Sequence, residues 1–294
     1  MNSKTSVLVT GSSGFIGRHT VRYLAALGYK VIAASRIAPD FKNPNIAAVQ
    51  LPDLSVPFDW QPLLEGCDSV IHLAGLAHRH ANEEEYDLVN CRATAALARA
   101  AACVGTIHLV FVSSIAAQSG PSSDYTLRED DAPKPIDAYG RSKLAAENAI
   151  RAAGVSFTIL RPVVIYGEGQ KGDVATVHRI ARLPIPLPFG EVTARRSMLS
   201  IENFNSAVAL SLTNPRARGE TFIVSNPTPV SVAELIACYR TSLGRSPWLV
   251  RISERWLELS FEIIGQRSVW ERIGRPLIAN SSKLQSIGWN PSEQ

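Results

Sequence analysis

Val7-Leu-Val-Thr10-Gly11-Ser-Ser-Gly14-Phe-Ile-Gly17-Arg-His19 carries an apolar strand through a glycine turn into a helix. Each glycine has its own steric task. Gly11 suits a tight exit from the strand, Gly14 lets backbone approach a pyrophosphate, and Gly17 lets the helix pack closely on the sheet. The unsatisfied N–H groups of the first helical turn then face an anion. The spacing is Gly-x-x-Gly-x-x-Gly rather than Gly-x-Gly-x-x-Gly. Its position directly after a strand is what makes the triplet a dinucleotide-binding signal.

Outward from this turn, Lys30-Val-Ile-Ala-Ala-Ser35-Arg36 reads as a second strand parallel to the first, completing a right-handed crossover. The end of that strand selects the cofactor, because an acidic residue there would accept from a ribose 2'-hydroxyl. Ser35 and Arg36 stand there instead, and a guanidinium matches a 2'-phosphate. NADP(H) is the expected cofactor, with NAD(H) as the alternative. Ile46–Leu51 reads as a third strand, followed by Asp53 as an adenine contact. A fourth, Asp68–Gly75, ends in small residues and holds His72 as a packed strand residue. The basic segment 77–80 follows at the sheet's C-terminal edge, where open parallel sheets bind ligands.

An Ala-rich helix is expected from about Glu83 to Cys103, then a fifth strand Ile107–Ser114, a loop over the site from Gly120 to Asp137, a helix from Ala138, and a strand Val155–Arg161 ending at Pro162. Beyond it, shorter segments broken by prolines give way to helices at 202–212, 231–243 and 254–265. The fold class expected is α/β: a Rossmann-type doubly wound parallel sheet with a smaller, mainly helical C-terminal substrate lobe. Residues 1–165 form the dinucleotide-binding domain, with later segments returning to it, and 166–294 form the substrate lobe.

The composition supports a globular chain of 294 residues with 46% hydrophobic content and a formal charge of +4. No basic block stands out, so neither nucleic acid nor membrane is suggested, and anion binding must come from placed arginines. Cys67, Cys91, Cys103 and Cys238 show no metal-binding spacing. No metal is expected, and a reducing cytoplasm is the expected compartment.

Tyr139 and Lys143 stand four apart on a predicted helix and share one face. An ammonium beside a phenol favours the phenolate, so the Tyr139 pKa is expected to fall. Ser114, at a strand end, offers a hydroxyl to the same substrate oxygen. Together the three form an acid/base set for hydride chemistry at a carbinol carbon.

With these residues in place the chain resembles the extended short-chain dehydrogenases/reductases, especially the nucleotide-sugar epimerase, dehydratase and reductase branch. The resemblance rests on Thr10–Gly17, His72–Gly75, Val112–Ser114, Tyr139–Lys143, Leu160–Gly167 and Arg196–Ile201. It implies that Ser114 polarises the reacting oxygen, Tyr139 is the acid/base and Lys143 holds the nicotinamide ribose. The cofactor would lie along Gly11, Ser13, Gly14, Phe15, Ile16 and Gly17, then Ser35, Arg36, Asp53 and Leu54, then Leu73, Ala74 and Gly75, and finally Pro162 and Val164. Arg196, with Arg272 as a second arginine, would grip the diphosphate of a nucleotide sugar.

Departures narrow the chemistry. Ile115 and Ala116 follow Ser114 where sugar dehydratases of this branch carry an Asp-Glu pair. Ser35-Arg36 replaces the acidic residue of classical epimerases, and Val164 replaces a sugar-contacting asparagine. The implied activity is reduction of a 4-keto intermediate at C4 of a UDP-hexose for polysaccharide synthesis, by a homodimer. A UDP-hexose 4-epimerase is the alternative, and a non-catalytic nicotinamide-binding sensor a more distant one.

Overall fold

The computed structural model describes residues 5–77, 81–170 and 173–293. Its first half alternates strands and helices. The strands are β1 (Ser6–Thr10), β2 (Lys30–Ser35), β3 (Ile46–Gln50), β4 (Ser69–His72), β5 (His108–Val112) and β6 (Ser156–Pro162). Between them run α1 (Phe15–Ala26), α2 (Gln61–Leu64), α3 (Glu83–Tyr86), α4 (Ala93–Val104) and α5 (Ala138–Ala152). The second half holds β7 (Val164–Tyr166), α6 (Asp173–Ala181), β8 (Arg195–Arg196), β9 (Met198–Ser200), α7 (Ile201–Thr213), β10 (Glu220–Val224), β11 (Val230–Ser231) and α8 (Val232–Ser242). It ends in α9 (Glu254–Ile263), α10 (Arg267–Ile273) and α11 (Ser282–Ser286).

Seven strands form one parallel sheet in the order β10-β6-β5-β4-β1-β2-β3. From β1 the chain winds outward to β3, then returns to β4 on the other side of β1. The crevice at the C-terminal ends of β1 and β4 is therefore the topological switch point, where open α/β sheets bind ligands. Strand β10, from the second half of the chain, closes the opposite edge by pairing with β6.

Both faces of the sheet are covered, so its central strands read as continuous apolar runs. Alternation sorts their side chains: Val7 and Val9 pack with Val21 and Leu24 of α1 and Phe204 and Val208 of α7. Leu8 faces the other way, towards Leu97, Ala98, Ala146 and Ile150 of α4 and α5. A separate cluster built on Val177, Leu187, Phe189, Ile236, Leu257 and Trp270 is the core of the helical lobe.

The expected Ala-rich helix is interrupted. Between α3 and α4 the backbone widens into a π-helix, Asp87–Arg92. Such widenings mark functional sites more often than sequence periodicity reveals.

Candidate functional site

The glycine turn is built as the spacing predicts. Gly11 has φ +71, and a Cβ there would lie 2.8 Å from Ala74 N, so the turn presses against the chain leaving β4. A Cβ on Gly17 would meet Gly11 O at 2.2 Å, so only glycine lets α1 start this close to the turn. Helix α1 has no side-chain N-cap bond and no acid in its first turn. Within the turn, Ser12 Oγ is buried without a hydrogen-bond partner. Uncapped N–H groups, a close backbone cradle and an unmet hydroxyl fit a dinucleotide pyrophosphate. Ser13, Phe15 and Ile16 line the same turn, part-exposed.

At the end of β2 the Ser35 hydroxyl donates to Ile37 O at 2.7 Å. Arg36 is exposed, its Nη1 3.9 Å from an Asp53 carboxylate oxygen. The other Asp53 oxygen accepts Ser55 N at 2.9 Å and so caps its own turn, while Leu54 is buried. The structure thus gathers Ser35, Arg36, Asp53 and Leu54 at one corner. It places Asp53 as neighbour to Arg36.

Ser114, Tyr139 and Lys143 converge at the C-terminal end of β5. Ser114 Oγ accepts Ala116 N at 3.1 Å, starting a short helical turn, and its hydroxyl lies near enough to the Tyr139 phenol to favour the ionised form. Helix α5 can come this near because residue 140 is glycine: a Cβ there would lie 2.2 Å from Ala116 O. Asp137 sets the helix start by accepting Gly140 N at 2.6 Å. One turn along, Lys143 Nζ donates to Val112 O at 3.0 Å and lies 4.8 Å from the Phe111 ring centroid.

The electrostatics correct one expectation. The Tyr139 phenol is pushed up to about 12, because desolvation outweighs the nearby Ser114 hydroxyl. Lys143 is itself pushed down to about 8 by burial, with Glu147 acting the other way. In this state Tyr139 rests as a protonated donor at neutral pH.

Several supporting residues escaped the sequence reading. Asn90, in the π-helix, accepts Leu76 N at 2.7 Å and donates to Leu76 O at 3.1 Å and Ser142 Oγ at 3.0 Å. It ties the chain after β4 to α5. Below it runs a directed relay: Ala74 N donates to Thr10 Oγ1 (3.2 Å), Thr10 meets His72 Nδ1 (2.8 Å), His72 Nε2 meets Thr94 Oγ1 (3.0 Å), and Thr94 donates to Asn90 O (2.7 Å). Since the Thr94 proton goes to a carbonyl, Thr94 must accept from His72 Nε2–H, which leaves Nδ1 as acceptor. His72 is therefore a buried neutral strand residue, held down to about 3 by desolvation.

A second network surrounds Glu147, fully buried on α5. Its carboxylate accepts Ser113 Oγ at 2.6 Å and Arg161 Nε and Nη2 at 2.9 and 2.6 Å, and Arg161 also donates to Gln118. It joins the residue before Ser114, the helix of Lys143 and the residue before Pro162. The Glu at the fourth position after Lys143 was the visible signal.

Of the two arginines expected to hold substrate, Arg196 contacts the start of the loop 120–137. Arg196 Nη1 donates to Arg275 O at 2.6 Å and Nη2 to Pro121 O at 2.8 Å; Glu271 O is 3.4 Å from Nη1. Arg196 therefore reaches the backbone on both sides of Arg272, which is exposed on α10. Strand β9, which follows, pairs in parallel with β7, Met198 opposite Val164. This register links Arg196 to the Pro162–Val164 segment. The basic segment 77–80 lies outside the described residues beyond Ala77. No metal-binding cluster of His, Cys, Asp or Glu occurs among the described residues.

Sheet topology, glycine turn and serine–tyrosine–lysine cluster together define a Rossmann-type, nicotinamide-dependent enzyme. More particularly, the chain belongs to the NAD dependent epimerase/dehydratase family, whose model matches residues 7–225. It is 28% identical over 300 residues to a UDP-glucose 4-epimerase of Vibrio cholerae, covering 98% of this chain and 91% of that protein. A ceramide reductase of Caulobacter vibrioides is 33% identical over 200 residues, covering 67% of this chain and 57% of that one. Among solved structures, MoeE5 in complex with UDP-glucuronic acid and NAD superposes with a TM-score of 0.78 at 26% identity, covering 98% and 94% of the two chains.

Proposed function

We propose that this enzyme reduces the C4 carbonyl of a UDP-linked 4-keto-hexose, with NADPH as reductant, in the formation of polysaccharide precursors. The observation that carries the reading is the convergence of Ser114, Tyr139 and Lys143 at the C-terminal end of β5, where burial favours the protonated Tyr139 phenol. A ketone reductase needs a proton donor in its resting state, whereas an alcohol oxidation must begin from a base. A bound nicotinamide would supply the hydride. Ser114 and Tyr139 would both donate to the carbonyl oxygen, and Tyr139 would release its proton as charge develops there. Lys143, whose ammonium already lies against Val112 O, would hold the ribose.

Arg36 supports NADP(H), since it stands exposed where a 2'-phosphate would lie and Asp53 helps to orient it. Arg196 supports a diphosphate substrate. It would have to exchange backbone carbonyls for phosphate oxygens, a stronger charge-assisted contact. Ile115 and Ala116 supply no acid/base pair for loss of water.

The second reading is UDP-hexose 4-epimerisation, favoured by the full-length similarity to the Vibrio cholerae enzyme. One experiment separates them. Purified protein is incubated with a UDP-4-keto-hexose and NADPH or NADH, and with UDP-hexoses without added reductant. Consumption of NADPH in preference to NADH, with Arg36→Ala weakening NADPH binding roughly ten- to a hundred-fold, supports the reductase. Interconversion of UDP-hexose epimers on copurified NAD rejects it.

A further inference from the structure

Two loops of the helical lobe form a surface that no step of this chemistry uses. Residues 182–186 read Arg-Leu-Pro-Ile-Pro, and residues 244–250 read Gly-Arg-Ser-Pro-Trp-Leu-Val. Arg240, buried on α8, clamps both. Its Nε donates to Ala181 O at 2.9 Å, its Nη2 to Leu183 O at 2.9 Å and Ile185 O at 2.8 Å, and its Nη1 to Pro247 O at 2.9 Å. The guanidinium fork is thus engaged by backbone carbonyls and fixes the path of the two loops.

What the clamp displays is apolar. Leu183, Ile185 and Trp248 are 45%, 50% and 55% exposed, and Val250 continues the patch. Among the described residues, Trp248 is the one non-glycine residue at positive φ, +42. A bulky side chain there is a backbone outlier that persists only where its surroundings enforce it. Here strain and a buried arginine hold an indole out in solvent beside an open cleft of about 260 Å³.

The two loops and their immediate flanks are basic: no Asp or Glu occurs from residue 174 to 190 or from 235 to 253, while Arg179, Arg182, Arg245 and Arg251 are exposed, and Glu191 and Glu254 stand just beyond these stretches. Arginines framing outward Ile, Leu and Trp side chains match an anionic bilayer: the cations meet lipid phosphates while the apolar tips enter the headgroup boundary. Tryptophan is the side chain best suited to that boundary.

We propose that this face docks the protein on an anionic lipid bilayer, with Ile185 and Trp248 as its apolar anchors. The attachment is peripheral, since no helix among the described residues is long and apolar enough to cross a membrane. It is compatible with the expectation of no membrane insertion, and composition did not suggest it because the patch assembles from two segments about sixty residues apart in sequence. It stands independently of the substrate reading.

The test is co-sedimentation of the full chain with phosphatidylcholine vesicles, with and without phosphatidylglycerol. Binding is expected to the anionic vesicles and to weaken as salt rises. Ile185→Ser combined with Trp248→Ser should lower the vesicle partition coefficient by about tenfold or more, without lowering the thermal midpoint. Arg179→Gln combined with Arg251→Gln, which keeps the apolar tips, should also weaken binding and flatten its salt dependence. Failure of the wild-type protein to sediment, or undiminished binding by both variants, would overturn the proposal. So would a lipid-free dimer that the serine pair converts to monomer, which would assign the patch to a second copy of the chain.

Discussion

Replacing Glu147 by Gln tests the idea that one buried carboxylate fixes the catalytic segments relative to each other. Glu147 is inaccessible to solvent, and Arg161 is 3% exposed. Four donors reach the two carboxylate oxygens, at 2.6 Å from Ser113, 2.9 and 2.6 Å from Arg161, and 3.1 Å from Arg151. Glutamine preserves the volume but accepts at one oxygen only, and its amide turns N–H groups towards the Arg161 donors. A guanidinium then stays buried without its counter-ion. Breaking such a pair from one side costs about 3–5 kcal/mol, against a total stability of about 5–15 kcal/mol. Arg151 adds little, being substantially exposed. Urea unfolding should therefore show a midpoint lowered by about a fifth or more with an unchanged slope. In the cycle with Arg161→Met, the double variant should be less destabilised than the sum of the singles, because the orphaned charge is gone. A loss below about 1 kcal/mol for Glu147→Gln, or strict additivity, would refute the reasoning.

The remaining predictions concern the site. Tyr139→Phe should lower turnover by about 10²- to 10⁴-fold while leaving cofactor affinity nearly unchanged, as read by steady-state kinetics and cofactor titration. Gly17→Ala should lower the thermal midpoint and weaken cofactor binding together, since its Cβ would meet Gly11 O at 2.2 Å; calorimetry with and without cofactor checks both. His72 is held near 3 in the folded chain against about 6.5 when unfolded, so its contribution is complete above 6.5 and is lost as pH falls from 6.5 towards 3. Unfolding measured across that window should show a shallower acid limb for His72→Gln, by up to about 1.4 kcal/mol per pH unit. Tyr139, raised from 10 to about 12, contributes stability that is complete below pH 10 and lost as pH rises from 10 to 12, so Tyr139→Phe should flatten the alkaline limb of the same titration.

While β10 was not legible in it, the sequence by itself determined six of the seven sheet strands, the glycine turn and the spacing of Ser114, Tyr139 and Lys143. These features are local: a strand–turn–helix imposes its own steric code, and a four-residue helical spacing places Tyr139 and Lys143 on one face whatever surrounds them. The strand ends and most helix bounds were legible for the same reason, as was His72 as a packed residue. Burial decided the rest. The phenol was expected to be lowered by its lysine neighbour, yet desolvation raises it, and no spacing rule reports how much solvent a fold removes. The π-helix brings the Asn90 amide to Leu76 and Ser142, which lie on different elements. Glu147 and Arg161 belong to separate elements whose meeting only the sheet order fixes. The loops of Leu183, Ile185 and Trp248 lie about sixty residues apart in sequence, where nothing joins them; the Arg240 clamp makes them one surface. Local code is carried by neighbours along the chain, whereas charge, protonation and exposure depend on neighbours in space.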